Sequence, residues 1–155
     1  MQQKQKNKTK KNLTLLILLL ALFKFPISSV EASDLNCLAK NVFHEARGEG
    51  KRGMLMVGHV VLNRVKSKKF SDSVCKVIYQ KKQFSWVNKK KKHHVDTNSK
   101  EWKMALDVAK QILDRDHDPT NGSLYFYSSS ILKKKPSWAK KKTVVTKVGN
   151  HVFLR

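Results

Sequence analysis

An apolar ladder that runs straight into a pair of glycines sets the frame of this 155-residue chain. Leu35, Leu38, Ala39, Val42 and Ala46 recur at i, i+3, i+4, i+7 and i+11, the spacing of one face of an α-helix. Asp34 stands just before the first rung, where an N-cap is expected. Gly48 and Gly50 are breakers that should end the helix within a residue or two of Arg47. Glu45 then falls in the last turn, at the rim of the buried face. A carboxylate there is half desolvated, which favours its neutral form and suits a general acid. The bland alternative is an ordinary solvated Glu on a polar face, and the spacing alone leaves both open.

His44-Glu45 also begins like a His-Glu-x-x-His zinc motif, but the fifth position is Gly48, so no metal site is expected. His44 is expected to pack or hydrogen-bond near the helix end.

A chain of this length supports one domain with a modest core. Its formal charge of +22 is extreme, yet 40% of the residues are hydrophobic, which argues for a folded basic domain over wholesale disorder. Such charge implies an anionic partner: nucleic acid, a membrane surface or an acidic polymer. The N-terminus chooses among these. Lys4, Lys6, Lys8, Lys10 and Lys11 precede an apolar run from Leu13 to Phe23, and Val30-Glu31-Ala32 puts small residues at −3 and −1 of a cleavage point after Ala32. That is the layout of a secretory signal peptide, so residues 1–32 read as signal and 33–155 as the mature domain. The apolar run is about half of the roughly 20 residues a membrane span needs, and Lys24 interrupts it, so no stable transmembrane span is expected. An uncleaved anchor is the alternative. Losing 1–32 would remove six lysines and one glutamate and leave +17. Export makes nucleic acid an unexpected partner. Cys37 and Cys75 both lie in the mature part, and an even pair in an oxidising compartment reads as one disulfide. It would be worth on the order of 4 kcal/mol in the chain-entropy model. Two buried thiols in a reducing cytosol are the alternative.

A second ladder, Met54, Val57, Gly58, Val61 and Val65, predicts a helix from about Lys51 to Val65. Gly53 and Gly58 cost propensity inside it, so close packing against a neighbouring helix is their expected justification. Asn63 and Arg64 are expected to face a cleft or solvent. Ser71 is the N-cap candidate of a third, shorter helix carrying Val74, Val77 and Ile78, which brings Cys75 near the core. Tyr79 to Trp86 then offers Gln83, Ser85 and Trp86 in a loop, where amides bond sugar hydroxyls and aromatic faces stack on rings. The plain alternative is that Phe84 and Trp86 anchor the core. Lys89 to Lys92, with His93 and His94, read as an exposed loop. Asn98 or Ser99 caps a long helix with Trp102, Ala105, Leu106, Ala109, Ile112 and Leu113 on one face. Asp114, Asp116 and Asp118 resemble the opening of a calcium loop, but Pro119 occupies the required glycine position and Tyr125 the closing Glu, so a solvated turn is favoured. Leu124 to Tyr127 reads as a strand, and Thr143–Val148 with His151–Arg155 around Gly149-Asn150 as a hairpin.

Several of these stretches together resemble the SleB-type, spore-cortex-lytic family of cell wall hydrolases. They are Cys37-Leu38-Ala39 with His44-Glu45-Ala46-Arg47-Gly48-Glu49, Val60-Val61-Leu62-Asn63-Arg64-Val65, Val74-Cys75-Lys76-Val77-Ile78-Tyr79 with Gln83-Phe84-Ser85-Trp86, and Gly149-Asn150-His151-Val152-Phe153. The resemblance covers about Leu35 to Arg155. It implies an α+β, mainly helical, lysozyme-like domain with a small β element that includes the C-terminal hairpin. It also implies cleavage of peptidoglycan glycan strands with Glu45 as the catalytic acid and Glu49 in a structural or supporting role beside His44 and Arg47. Substrate contacts are expected from Gln83, Ser85, Trp86, Tyr125, Asn150 and His151. The Lys-rich runs at 89–92, 133–135 and 140–142 depart from the family pattern.

Most glycosidases use two carboxylates, and here one candidate is well placed. Lytic transglycosylation between N-acetylmuramic acid and N-acetylglucosamine fits that shortage and needs no metal or cofactor. A muramidase using water is the alternative within the class, and a secreted basic wall-binding module without catalysis is the alternative outside it. Peptidoglycan and anionic wall polymers are the expected partners of a monomer.

Overall fold

The computed structural model describes residues 29–87, 94–114, 117–132 and 134–155. Most of the expected signal segment, the run from Lys89 to His93, Asp116 and Lys133 lie outside those residues.

Helix α1 spans Ser29–Ala46. It starts upstream of Asp34, which is therefore inside the helix and not its N-cap. No Pro or Gly separates Pro26 from Gly48, so nothing in the sequence halts propagation backwards past Asp34. The C-terminal end lies where the glycines put it. A single 3-10 turn, Arg47–Glu49, closes on Gly50 at φ +66°, a left-handed value that favours glycine. Helix α2, Gly50–Lys66, follows at once.

The short helix α3, Val74–Tyr79, is capped by Ser73 and not by Ser71: the Ser73 hydroxyl accepts from the Lys76 amide at 3.4 Å. Helix α4, Lys100–Asp114, is capped by Ser99, whose hydroxyl accepts from the Trp102 amide at 3.2 Å. Three antiparallel strands complete the domain: β1 (Tyr125–Ser128), β2 (Val144–Val148) and β3 (His151–Leu154), in the order β1-β3-β2. The last strand is therefore central. Phe126 stands opposite Phe153, and His151 lies between Ser128 and Val148. The expected hairpin is present, and the strand expected at 124–127 is shifted by one residue.

The apolar ladders meet in one core. Leu38 and Val42 of α1, Val57 and Val61 of α2, Val77 and Ile78 of α3 and Val108 and Ile112 of α4 are fully buried or nearly so, and Phe153 of β3 joins them. At Gly58 the missing side chain is what lets α1, α2 and α4 close: a Cβ there would lie 2.3 Å from Ile112 Cδ1 and 3.2 Å from Val42 Cγ1. Gly53 differs from expectation, since its close neighbour is Glu49 in the preceding turn and not another helix. The Cys37–Cys75 disulfide ties α1 to α3 across a Cα separation of 5.4 Å. No described helix is long and apolar enough to cross a membrane.

The aspartate turn is held internally. Asp118 accepts from the Thr120 amide and hydroxyl at 2.8 and 2.6 Å, from the Gly122 amide at 2.7 Å and from Asn63 Nδ2 at 3.0 Å. Burial pushes its carboxyl up, but these bonds outweigh that and hold it below the ordinary range. Asn63 is thereby committed to the 118–123 turn and not to a cleft.

Candidate active site

The end of α1 and the sheet face each other across a cleft of about 900 Å³. One wall carries His44, Glu45, Arg47 and Glu49 from α1 and its 3-10 turn, Arg64 from α2, and Gln83 to Trp86 from the loop after α3. The other carries Phe126, Tyr127 and Ser128 of β1, the 130–132 segment and His151 of β3, with His94 at the edge. Glu45 is half-buried, as its place in the last turn dictates.

The two glutamates of the motif are in different situations. Both oxygens of Glu49 are engaged by Asn150: Oε2 accepts its backbone N–H at 2.8 Å and Oε1 its side-chain amide at 2.9 Å. The backbone bond and then the amide outweigh burial and lower the Glu49 carboxyl below its ordinary range. Glu49 is therefore an anion that ties the turn after α1 to the turn between β2 and β3.

His151 is 5% exposed, and burial lowers its pKa more than the nearby Glu49 raises it, so it is neutral at pH 7. Its Nδ1 is buried without a hydrogen-bond partner among the described residues. Phe126 meets it edge-on at 5.2 Å. His44 stacks on the Trp86 indole at 4.6 Å, and the indole N–H donates to Asn41 Oδ1 at 3.2 Å. One face of Trp86 is thus already covered. The half-buried indole packs on the end of α1, while Phe84 is the core anchor at 3% exposure. Arg47 is exposed and lies over the Phe43 ring at 5.1 Å.

Of the residues expected to form the site, Glu45, His44, Arg47, Glu49, Gln83, Ser85, Trp86 and His151 line the cleft. Tyr125 and Asn150 do not. Tyr125 opens β1, at the end of the strand away from Ser128 and beyond the cleft lining. There it meets Phe70 and Trp138 at 6.2 Å each and receives Lys142 Nζ at 3.6 Å from its ring centroid. Asn150 is spent on Glu49. Phe126 and Tyr127 were missed as cleft residues, and Arg64, expected to face a cleft or solvent, lines the cleft but is buried there. Arg64 had a signal: it lies three residues after Val61 and seven after Val57, on the apolar face of α2.

A mainly helical domain whose small antiparallel sheet closes one side of a carboxylate-bearing cleft is a lysozyme-like domain. The chain belongs to the cell wall hydrolase family, whose model matches residues 48–154, beginning three residues after Glu45. Among curated relatives, the spore cortex-lytic enzyme of Bacillus cereus is 29% identical over 123 residues, covering 79% of this chain and 44% of the relative. That of Oceanobacillus iheyensis is 28% identical over 126 residues, covering 79% and 42%. The chain thus spans less than half the length of these relatives. The crystal structure of the catalytic domain of the Bacillus cereus SleB protein aligns with a TM-score of 0.61 at 29% identity, covering 79% of this chain and 89% of that one. The catalytic domain of a germination-specific lytic transglycosylase, SleB of Bacillus anthracis, shares the fold at a TM-score of 0.63 and 24% identity, covering 84% and 98%.

Proposed function

We propose that this chain is an exported enzyme that cleaves peptidoglycan glycan strands between N-acetylmuramic acid and N-acetylglucosamine by lytic transglycosylation, with Glu45 as both acid and base. The observation that carries this reading is the inequality of the two cleft carboxylates. Glu45 and Glu49 are the carboxylates among the described cleft-lining residues, and Asn150 occupies both oxygens of Glu49. Hydrolysis by the usual pair of carboxylates needs a second one free to act as nucleophile or to activate water. One working carboxylate is enough if the substrate supplies the nucleophile.

Glu45 gives its proton to the glycosidic oxygen as the bond from that oxygen to C1 breaks. The carboxylate left behind takes the proton of the muramic 6-hydroxyl as O6 bonds to C1, which closes the anhydro ring and regenerates the acid. The names of the curated relatives, cortex-lytic enzymes, support peptidoglycan as substrate. The Cys37–Cys75 disulfide supports an oxidising compartment, and with it the reading of residues 1–32 as a signal.

Anionic wall polymer is the second partner. Residues 119–155 carry seven lysines and one arginine and no acid, whereas six of the eleven acids fall within 96–118. The segment that builds the sheet therefore carries positive charge with no acid to offset it.

Mass spectrometry of digested peptidoglycan tests the reaction, because anhydro and reducing ends differ by one water. Anhydro-muropeptides from the wild type and none from Glu45→Gln are expected. Reducing ends would replace transglycosylation by hydrolysis. Turnover retained in Glu45→Gln would remove Glu45 from the chemistry, and wall binding with no turnover in the wild type would leave a binding module.

A further inference from the structure

Arg64 is 5% exposed, yet it is a cation in the wall of the cleft. Its Nε donates to the Leu124 carbonyl at 2.8 Å. Its guanidinium carbon stands 5.2 Å from the ring centroids of both Phe70 and Phe84. Nη1 is buried and has no hydrogen-bond partner among the described residues. A guanidinium taken out of water and left incompletely bonded is destabilising unless an opposite charge offsets it. Burial brings its pKa down to about 10, and the charges of Tyr125 and Glu45 act against that fall. Arg64 therefore remains charged at neutral pH, and it shares the cleft wall with Glu45, whose charge favours its charged form.

The other ionisable groups around Glu45 do not supply a buried positive charge. His44 comes from the same helix and is stacked on Trp86. Arg47, in the following turn, and His94, before α4, are exposed to solvent, where screening weakens their pull. Glu49 is an anion held by Asn150, and His151 of β3 is neutral in its buried site. Tyr127 of β1 adds a phenol. Among the described cleft residues, Arg64 is the buried cation.

We propose that Arg64 is a positioning residue for Glu45, a cation fixed by the Leu124 carbonyl and two phenylalanine rings that stabilises the carboxylate Glu45 becomes after giving up its proton. This rests on the acid role of Glu45 proposed above. It assigns Arg64 more than bracing α2 against the start of β1, which a neutral side chain could also do. A fixed charge in a poorly solvated wall needs no reorganisation when the proton leaves, so its effect falls on the step in which charge develops. The same field opposes reprotonation of Glu45 in the resting enzyme, so it sets the upper pH limit of activity.

Arg64→Met keeps an apolar stem in the slot between Phe70 and Phe84 and removes the charge, whereas Arg64→Lys keeps the charge and gives up the planar fork. Two readouts are needed in each variant: the alkaline limb of kcat/KM on soluble glycan fragments, and the ¹³C titration of the Glu45 carboxyl. In Arg64→Met both should move upward by roughly half a pH unit or more, and kcat should fall, while Arg64→Lys stays near the wild type. Should Arg64→Met not fold, Arg64→Gln gives the same reading. A folded neutral variant in which Glu45 titrates as in the wild type would reduce Arg64 to a brace. Glu45→Gln run alongside separates the two ideas: turnover retained there overturns the proposed function, whereas the titration of Glu45 still decides the influence of Arg64.

Discussion

Glu49 and Asn150, 101 residues apart in the chain, are joined by two hydrogen bonds that close the helical wall of the cleft onto the sheet. The carboxylate accepts both the backbone and the side-chain N–H of Asn150, so a single acid fixes the position of the turn between β2 and β3. Gly149 is shaped to the same contact. It adopts φ +55°, and a Cβ on it would fall against Glu49 Oε2. Gly149→Ala should therefore destabilise the domain by about 1–3 kcal/mol, from backbone strain and from displacing the carboxylate. Thermal melting measures the loss. An unchanged melting temperature would mean that the Glu49 contact is dispensable.

The same contact gives stability a direction in pH. The Glu49 carboxyl is held low in the fold, so its contribution is present above the unfolded-chain value and is lost as pH falls through the folded one. Buried His59 and His151 act earlier on the pH scale. Both are pushed down by burial, so the unfolded chain takes up protons that the folded chain refuses, and stability falls below about pH 6.5. Melting curves from pH 8 to about pH 2 should decline in two stages, with Glu49→Gln flattening the more acidic one. A curve for Glu49→Gln parallel to the wild type throughout would rule out that assignment.

How far the sequence could be read follows from which physics each residue obeys. Leu38, Val42, Val57, Val61 and Ile112 are placed by helical period alone, and burial follows from period, so helices and core were legible. The position of Glu45 at the end of its helix was legible because Gly48 and Gly50 stop the helix just beyond it. Asn150 was not, because it takes its role from a partner 101 residues away that no local pattern encodes. Tyr125 was misplaced because its partners, Phe70, Trp138 and Lys142, come from distant parts of the chain. Arg64 was read as facing a cleft or solvent; it does line the cleft, but its burial was not read although its spacing put it among buried valines. Its cost is tolerated only in the context of Leu124, Phe70, Phe84 and Glu45, which come from four other parts of the chain.

Gly58 tests the packing of the helices directly. Alanine would gain roughly 1 kcal/mol of helix propensity at this position. Against that, its Cβ would meet Ile112 Cδ1 at 2.3 Å, and overpacking of a filled core costs about 1–3 kcal/mol. Net destabilisation is expected. Ile112→Val removes the offending methyl, so the double variant should be more stable than Gly58→Ala alone. Strict additivity of the two changes would mean that the clash is relieved elsewhere.

Cys37 and Cys75 close a 38-residue separation between α1 and α3. Cys75→Ser paired with Cys37→Ser should lower stability by about 2–4 kcal/mol, mostly by freeing the unfolded chain. Reductant should lower the melting temperature of the wild type and leave the double variant unchanged. Two free thiols in the unfolded, unreduced protein would show that the bridge does not form.

The basic segment that builds the sheet should hold the enzyme on anionic wall polymer without touching the chemistry. Lys134, Lys140, Lys141 and Lys147 are exposed, and none of them lines the cleft. Lys142 is a different kind of residue: its Nζ sits over the Tyr125 ring and its carbonyl accepts from Lys135 Nζ, so it belongs to the structure of the loop. Exposed charges act over about 8 Å at physiological salt, and a polyanion laid along this segment would lose most of its attraction as salt rises. Replacing Lys134, Lys140, Lys141 and Lys147 together by Ser should weaken binding to whole sacculi and flatten its salt dependence. Turnover on short soluble glycans should stay close to wild type, since Glu45 and the Gln83 to Trp86 loop are unchanged. Equal losses on sacculi and on short glycans would place these lysines in substrate binding at the cleft, and a separate anchoring surface would no longer be needed.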